Sequence, residues 1–260
     1  MSNVSNLNDV QWLFFDVFGT VVDWQSHMSR SMLNVAKRVE PVVARKYPDA
    51  QDKFWQDRTQ QWRTGFMSHI KTKQGNREEG GIDVWFQSEV HRMLLDKLLE
   101  EWGVAQAWDE NARSALVKEW HRLQGWPDSV EGLKRLRERF ILCTLTNGDT
   151  AVMIEMCRGA GLSVDNHIAG DSIGTYKPDP AMYQQGIRLS RLPAGKCAMV
   201  AAHAYDLDAA KSHGMKTIYI KRRTEDTSDP VSKDSGRGRF DMFIDIEEGG
   251  LVTLAKEFGY

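Results

Sequence analysis

Asp16 follows a short apolar run, Val10-Gln11-Trp12-Leu13-Phe14-Phe15, with Thr20 close behind it. A second run ends in Thr146-Asn147-Gly148, a third region ends near Lys177-Pro178-Asp179-Pro180, and a fourth ends in His203 and Asp206. In open α/β sheets, ligands bind beyond the carboxyl ends of the strands. Four such tips can converge on one crevice. A carboxylate, a hydroxyl–amide pair, a lysine and a second carboxylate would face one another there. These are the residue types of nucleophilic and general acid–base chemistry. Each has an ordinary structural use when taken alone: an Asp after a strand caps a helix, Thr-Asn-Gly is turn chemistry, and a lysine before proline is usually solvated. The ordered set is what points to a site.

The elements that must position these residues alternate in type. Short, nearly continuous apolar runs at 10–15, 140–145, 196–201, 216–220 and 241–244 suit strands buried on both faces. Helix-like stretches lie between them at 129–138, 150–160, 180–190 and 205–213. This alternation predicts an α/β fold with a Rossmann-like, doubly wound parallel sheet. Residues 25–120 differ: they are rich in Trp, Gln, Arg and Met, and Leu94, Leu95, Leu98 and Leu99 recur at helical spacing. They predict an inserted all-helical cap, leaving 1–24 and 121–260 as the catalytic core. Within the cap, Gly75 to Gly81 reads as a loop. Pro127, a poor helix continuer, marks the return to the core. Residues 222–239 are polar and read as a loop, and no internal repeat is visible.

Composition narrows the class. Hydrophobic residues make up 41% and charged residues 27% of the 260, an ordinary globular balance. The net charge of -2 argues for neither a nucleic-acid nor a membrane partner. No apolar run approaches the roughly 18 residues of a membrane span. The first residues lack the basic and apolar regions of a secretory signal. Cys143, Cys157 and Cys197 are widely spaced and read as reduced thiols. A cytoplasmic protein is the expectation.

The motifs together resemble the haloacid dehalogenase superfamily, and within it the type II 2-haloacid dehalogenases. Phe15-Asp16-Val17-Phe18-Gly19-Thr20 is similar to the nucleophile motif, and Leu145-Thr146-Asn147-Gly148 to the second motif. Tyr176-Lys177-Pro178-Asp179-Pro180-Ala181-Met182-Tyr183 resembles the lysine motif, and Val200 to Asp206 the fourth. Superfamily phosphatases carry a second Asp where this chain has Phe18, to protonate the leaving group. They also carry a magnesium ligand where this chain has Ala201-Ala202-His203. A halide needs no general acid to leave, so both absences favour dehalogenation. Asp16 and Asp206 alone are a poor ligand set for Mg²⁺.

The resemblance implies hydrolysis of short (S)-2-haloacids to 2-hydroxy acids, with neither metal nor cofactor. Asp16 would attack C2, expel halide and form an ester, which water then cleaves. Lys177 would hold Asp16 ionised. Thr146 and the amides near Asn147 would bind the substrate carboxylate, and Asp206 would orient or activate water. The halide cradle would draw on Arg63, which follows Trp62, with Arg58 competing for that register. Asn147, Phe18 and Tyr205 would complete it, and Thr20, Tyr183 and His203 would line the substrate site. Two departures from the family pattern stand near the hydrolytic water: Ala201 replaces a serine and His203 an asparagine. His203 could supply the lost hydrogen bonds, act as a base or narrow the substrate range. The partners expected are a small 2-haloacid and water, with a homodimer by resemblance. The rivals are a superfamily phosphatase or phosphonatase, and a retired dehalogenase used as a binding module.

Overall fold

A strand that is apolar at nearly every position must be covered on both faces. The computed structural model describes residues 4–75, 86–236 and 238–260. Its strands are Trp12–Phe15 (β1), Ile141–Thr146 (β2), Asn166–Ala169 (β3), Cys197–Ala201 (β4), Lys216–Ile220 (β5) and Met242–Ile244 (β6). They form one sheet in the order β3-β2-β1-β4-β5-β6, and every pairing is parallel. β1 lies between β2 and β4, with Phe15 level with Thr144 on one side and Val200 on the other. Phe14, Cys143, Leu145, Met199 and Ala201 are fully buried in the core that results. The sheet is the doubly wound one that the alternation of runs predicts. Strand order reverses between β1 and β4, and a crevice opens at such a reversal.

The helices begin and end where local chemistry tells them to. Asp149 caps Thr150–Ala160 by accepting from the amide of Val152, and Gly161 closes that helix in the left-handed region. Asp179 caps Pro180–Ser190, whose first residue is a proline.

Three elements depart from the sequence expectation. β3 begins with Asn166 and His167, so it lacks the continuous apolar run that marks the other strands. The third tip is therefore Ala169, not the Lys177 segment, which follows a helical turn, Gly170–Ile173. Within 222–239, Lys233–Gly236 is a short helix, and Val231 is buried in the core. A closing helix, Gly250–Glu257, has no counterpart in the expected elements.

The chain divides into two compact units, Met1–Val22 with Gly125–Tyr260, and Asp23–Gln124. The sheet belongs to the first. Every regular element described in the second is helical: Trp24–Val39, Pro41–Lys46, Lys53–Gly75, Gln87–Glu101, Glu110–Lys118 and the 3₁₀ turn Glu119–His121. Its core is aromatic. Trp120 stacks on His91 with centroids 4.2 Å apart, and Trp62 meets Trp120 edge-on at 5.5 Å. Gly75 ends a helix, while the rest of the expected 75–81 loop lies outside the described residues. No helix among the described residues is long and apolar enough to cross a membrane.

Gly132 lies where the helix Ser129–Leu136 packs against Gly250–Glu257. A Cβ there would lie 2.5 Å from Leu251 Cβ and 2.6 Å from the Leu251 carbonyl carbon. Backbone cannot swing aside as a side chain can. The roughly 1 kcal/mol of helix propensity that alanine offers over glycine is therefore outweighed by overpacking of about 1–3 kcal/mol. Gly132→Ala is expected to lower the urea unfolding midpoint; an unchanged or raised midpoint would contradict this packing.

Candidate active site

The tip of β1 and the tip of β4 are tied together by one hydroxyl. Asp16 follows β1 and its amide donates to Val200 O at 3.0 Å. The chain then turns tightly, with Gly19 at φ +90°, and brings Thr20 back over Asp16. Thr20 Oγ1 donates to Asp16 Oδ2 at 2.7 Å and accepts from the Ala202 amide at 2.8 Å. The position where a magnesium ligand is expected thus contributes a backbone N–H. Arg222 secures the turn from behind. Its Nε donates to Thr20 O at 3.0 Å, and its two terminal nitrogens grip Asp128 at 2.7 and 2.8 Å.

Lys177 lies between two carboxylates. Its Nζ donates to Asp16 Oδ1 at 2.8 Å and also to Asp206 Oδ2. Its side chain is 1% exposed. Asn147 holds the lysine's backbone in place: Asn147 Oδ1 accepts from Lys177 N at 2.6 Å, and Nδ2 donates to Lys177 O at 3.1 Å. The carboxamide expected in the halide cradle is thereby committed to positioning. Tyr183 OH donates to Asp206 Oδ1 at 2.7 Å, so this buried phenol serves a carboxylate rather than an open site. Thr146 Oγ1 accepts from the Gly148 amide at 3.1 Å, and a hydroxyl that accepts keeps its proton to donate elsewhere.

These contacts separate the two carboxylates chemically. Burial opposes ionisation of Asp16, but Lys177 and then His203 outweigh it and hold the carboxyl well below the ordinary range. Asp206 is fully buried, and desolvation pushes its carboxyl up despite Lys177. Burial pulls the Lys177 ammonium down, yet Asp16 and Asp206 more than restore it, so it stays charged. Burial pushes the Cys143 thiol up to about 12 and the Cys157 thiol to about 11, which leaves neither a nucleophile at neutral pH. Among the described residues, no group of three His, Cys, Asp or Glu side chains is arranged to hold a metal ion.

Of the other expected site residues, Phe18 is buried beside Asp16 in the turn. Tyr205 is 41% exposed, with its ring 5.7 Å from that of His203. His203 reaches Asp16 Oδ2 through Nδ1 at 3.1 Å and Glu225 Oε2 through Nε2 at 2.8 Å. Glu225 was not among the expected residues, and neither was Asp226, which accepts from the Ala204 amide at 2.8 Å. Both follow the carboxyl end of β5, where 222–239 is merely polar in sequence and carries no motif.

Arg63 belongs to the helical unit, where its guanidinium stands 5.9 Å from the Trp24 ring and 5.7 Å from the Phe66 ring. Its competitor Arg58 pairs with Glu40 at 3.3 Å and lies over the Trp102 ring at 4.5 Å. Glu40 also accepts from Trp108 Nε1 at 2.7 Å.

A family model for haloacid dehalogenase-like hydrolases matches residues 10–214. The chain is 26% identical over 220 residues to (S)-2-haloacid dehalogenase 1 of Pseudomonas sp. (strain CBS-3), covering 83% of this chain and 86% of that one. Among solved structures, an L-2-haloacid dehalogenase superposes with a TM-score of 0.73 at 30% identity, over 96% of this chain and 98% of the other. A defluorinating L-2-haloacid dehalogenase gives a TM-score of 0.79 at 28% identity, over 95% and 94%.

The Lys177 contacts predict a stability effect with a definite sign in pH. Lys177→Met leaves two buried carboxylates without their ammonium and should cost about 3–5 kcal/mol near pH 7. A carboxyl raised in the folded state lowers stability while ionised. That loss fades as pH falls through its folded pKa towards the ordinary value of about 4. The gap between Lys177→Met and the parent, measured by urea unfolding, should therefore narrow between pH 8 and pH 5. A gap that is constant or widens over that range would contradict the charge assignment.

Proposed function

The chain belongs to the haloacid dehalogenase-like hydrolase family, and we propose from that premise that it hydrolyses short (S)-2-haloacids to 2-hydroxy acids through an ester on Asp16. The observation that carries this reading is the buried Lys177 ammonium held between Asp16 and Asp206. It keeps Asp16 ionised and oriented, and a carboxylate so aligned with a bound carbon electrophile gains most from proximity. Attack on C2 expels halide with inversion. Water then attacks Asp16 Cγ, and the 2-hydroxy acid leaves. Asp206, its carboxyl raised by burial, takes the proton from that water. The Thr146 hydroxyl and the amides near Asn147 bind the substrate carboxylate.

The reaction needs no metal. Asp16 and Asp206 are both committed to Lys177, and Ala202 offers only a methyl group beside its amide. Halide departs without a proton, so Phe18 suffices where a phosphatase needs an acid. On the family resemblance, the residues that serve the departing halide are Arg63, Phe18 and Tyr205. Arg58 is the weaker candidate because Glu40 already holds it. The enzyme is cytoplasmic and acts on a small molecule and water, without nucleic-acid or membrane partners. A homodimer is suggested by the family resemblance alone.

A single turnover of (S)-2-chloropropionate with excess enzyme, in ¹⁸O-water containing excess chelator, tests the chemistry. Halide release should be undiminished, with ¹⁸O in the Asp16 peptide and almost none in the first product molecule. Label in the product with Asp16 unlabelled means direct attack by water; loss of activity with chelator means a metal enzyme.

Removal of the cation is a separate test. Arg63→Ala should reduce halide release about 10²-fold, the scale of one donor to developing charge, with the unfolding midpoint little changed. Arg58→Ala should instead lower the midpoint by breaking the Glu40 contact. The reverse pattern would exchange the two roles.

A further inference from the structure

His203 is the one imidazole in the site, and both of its nitrogens face carboxylates. Nδ1 is 3.1 Å from Asp16 Oδ2, and Nε2 is 2.8 Å from Glu225 Oε2. A neutral imidazole has one donor and one acceptor nitrogen; two carboxylate partners are satisfied only by the doubly protonated ring. Glu225 is held for this contact. Its side chain is 8% exposed, and Thr224 Oγ1 donates to its Oε1 at 2.8 Å. Its carboxylate sits where Gly19 has no side chain: a Cβ there would fall 2.3 Å from Glu225 Cδ. His203 also stands at the N-terminal end of the helix Ala204–Ser212, an end at which positive charge is disfavoured. The cation therefore depends on the carboxylates around it: Asp16 from β1, and Glu225 and Asp226 from the segment after β5, with the Tyr205 phenol beside it.

We propose that His203, held as an imidazolium by Glu225, is a catalytic residue of the ester-hydrolysis half-reaction, in which it and Thr20 form the oxyanion site at Asp16 Oδ2. Glu225 is its positioning residue. The inference rests on Asp16 being the nucleophile. Alkylation at Oδ1 leaves Oδ2 as the ester's carbonyl oxygen, already facing the Thr20 hydroxyl at 2.7 Å and His203 Nδ1. Water adds to Cγ and gives a proton to Asp206, and the C=O pair moves onto Oδ2. Collapse restores that C=O bond and breaks Cγ–Oδ1. Oδ1 departs as the product's hydroxyl oxygen and takes the proton from Asp206. The new Asp16 carboxyl then releases its own proton to solvent. Lys177 Nζ, 2.8 Å from Oδ1, stabilises that departing oxygen, while His203 keeps its proton and donates only a hydrogen bond. Charge-assisted bonds of this kind are roughly twice as strong as neutral ones. Burial draws the imidazole down, but Asp16 and Glu225 raise it well above the ordinary histidine range, so the donor is present at neutral pH.

The test is rapid quench of the full-length enzyme with (S)-2-chloropropionate, reading the carboxyethyl ester on Asp16 by intact mass across pH. In Glu225→Gln the ester should accumulate and decay about tenfold more slowly than in the parent, one charge-assisted increment. Its decay should also fail at lower pH than in the parent, because without Glu225 the ring loses its proton earlier as pH rises. Glu225→Asp should move the profile back towards the parent's. A folded Glu225→Gln whose ester decay rate and pH profile match the parent's overturns the proposal. So does an ¹⁵N spectrum of the parent in which the His203 ring, assigned by its absence in His203→Gln, is neutral at pH 7; this holds even if the Glu225 variants fail to fold. Halide release with no ester in any variant removes Asp16 as nucleophile and overturns both readings, whereas an ester that decays identically in all of them overturns this one alone.

Discussion

Two carboxylates and an ammonium are taken out of water at the end of the sheet, and they tolerate it only together. A single ion buried alone would lose several kcal/mol of hydration. Lys177 answers both Asp16 and Asp206 from one nitrogen. The surrounding residues are arranged around that nitrogen. Asn147 clamps the lysine's backbone from both sides, Tyr183 fills the other oxygen of Asp206, and Thr20 contacts Asp16. Such an arrangement tolerates little displacement, because each member is the hydrogen-bond partner that another requires.

One cation nevertheless gives its two carboxylates opposite character. Asp16 receives Thr20 and His203 in addition to Lys177, and its carboxyl is held low. Asp206 has a phenol as its second partner and no exposure, and its carboxyl is pushed high. Paired groups whose environments drive their proton affinities apart can divide nucleophile and base between them. The division comes from partners rather than residue type, since both are aspartates.

Position in the sheet explains why so many elements contribute. Strand order reverses between β1 and β4, so the tips there are open to ligands. Asp16 stands beyond β1, and Ala202 to Asp206 follow β4. Glu225 arrives from beyond β5, and Thr146 and Asn147 from the end of β2. Gly19 matters because its bare backbone makes room for the Glu225 carboxylate. The segment after β5 therefore adds charge to the site, although its polar sequence reads as a surface loop.

The strands β1, β2, β4, β5 and β6 were legible in the sequence because each holds an unbroken apolar run, a requirement of burial on both faces. β3 was not, because only its last two residues, Ile168 and Ala169, are apolar. Asp16, Lys177 and Asp206 were legible because their motifs are local and ordered along the chain. Their partners were less so. Nothing in the spacing says that Asn147 spends its carboxamide on the Lys177 backbone, or that Tyr183 answers Asp206 rather than a ligand. Glu225 was invisible, since its pairing with His203 spans a helix and a strand and leaves no periodic trace. Residue types along the chain determined which chemistry was available. Which carboxylate is held ionised, and which histidine is held charged, was decided only by folding, because proton affinity depends on burial and on neighbours within a few ångströms, and those neighbours come from distant parts of the chain.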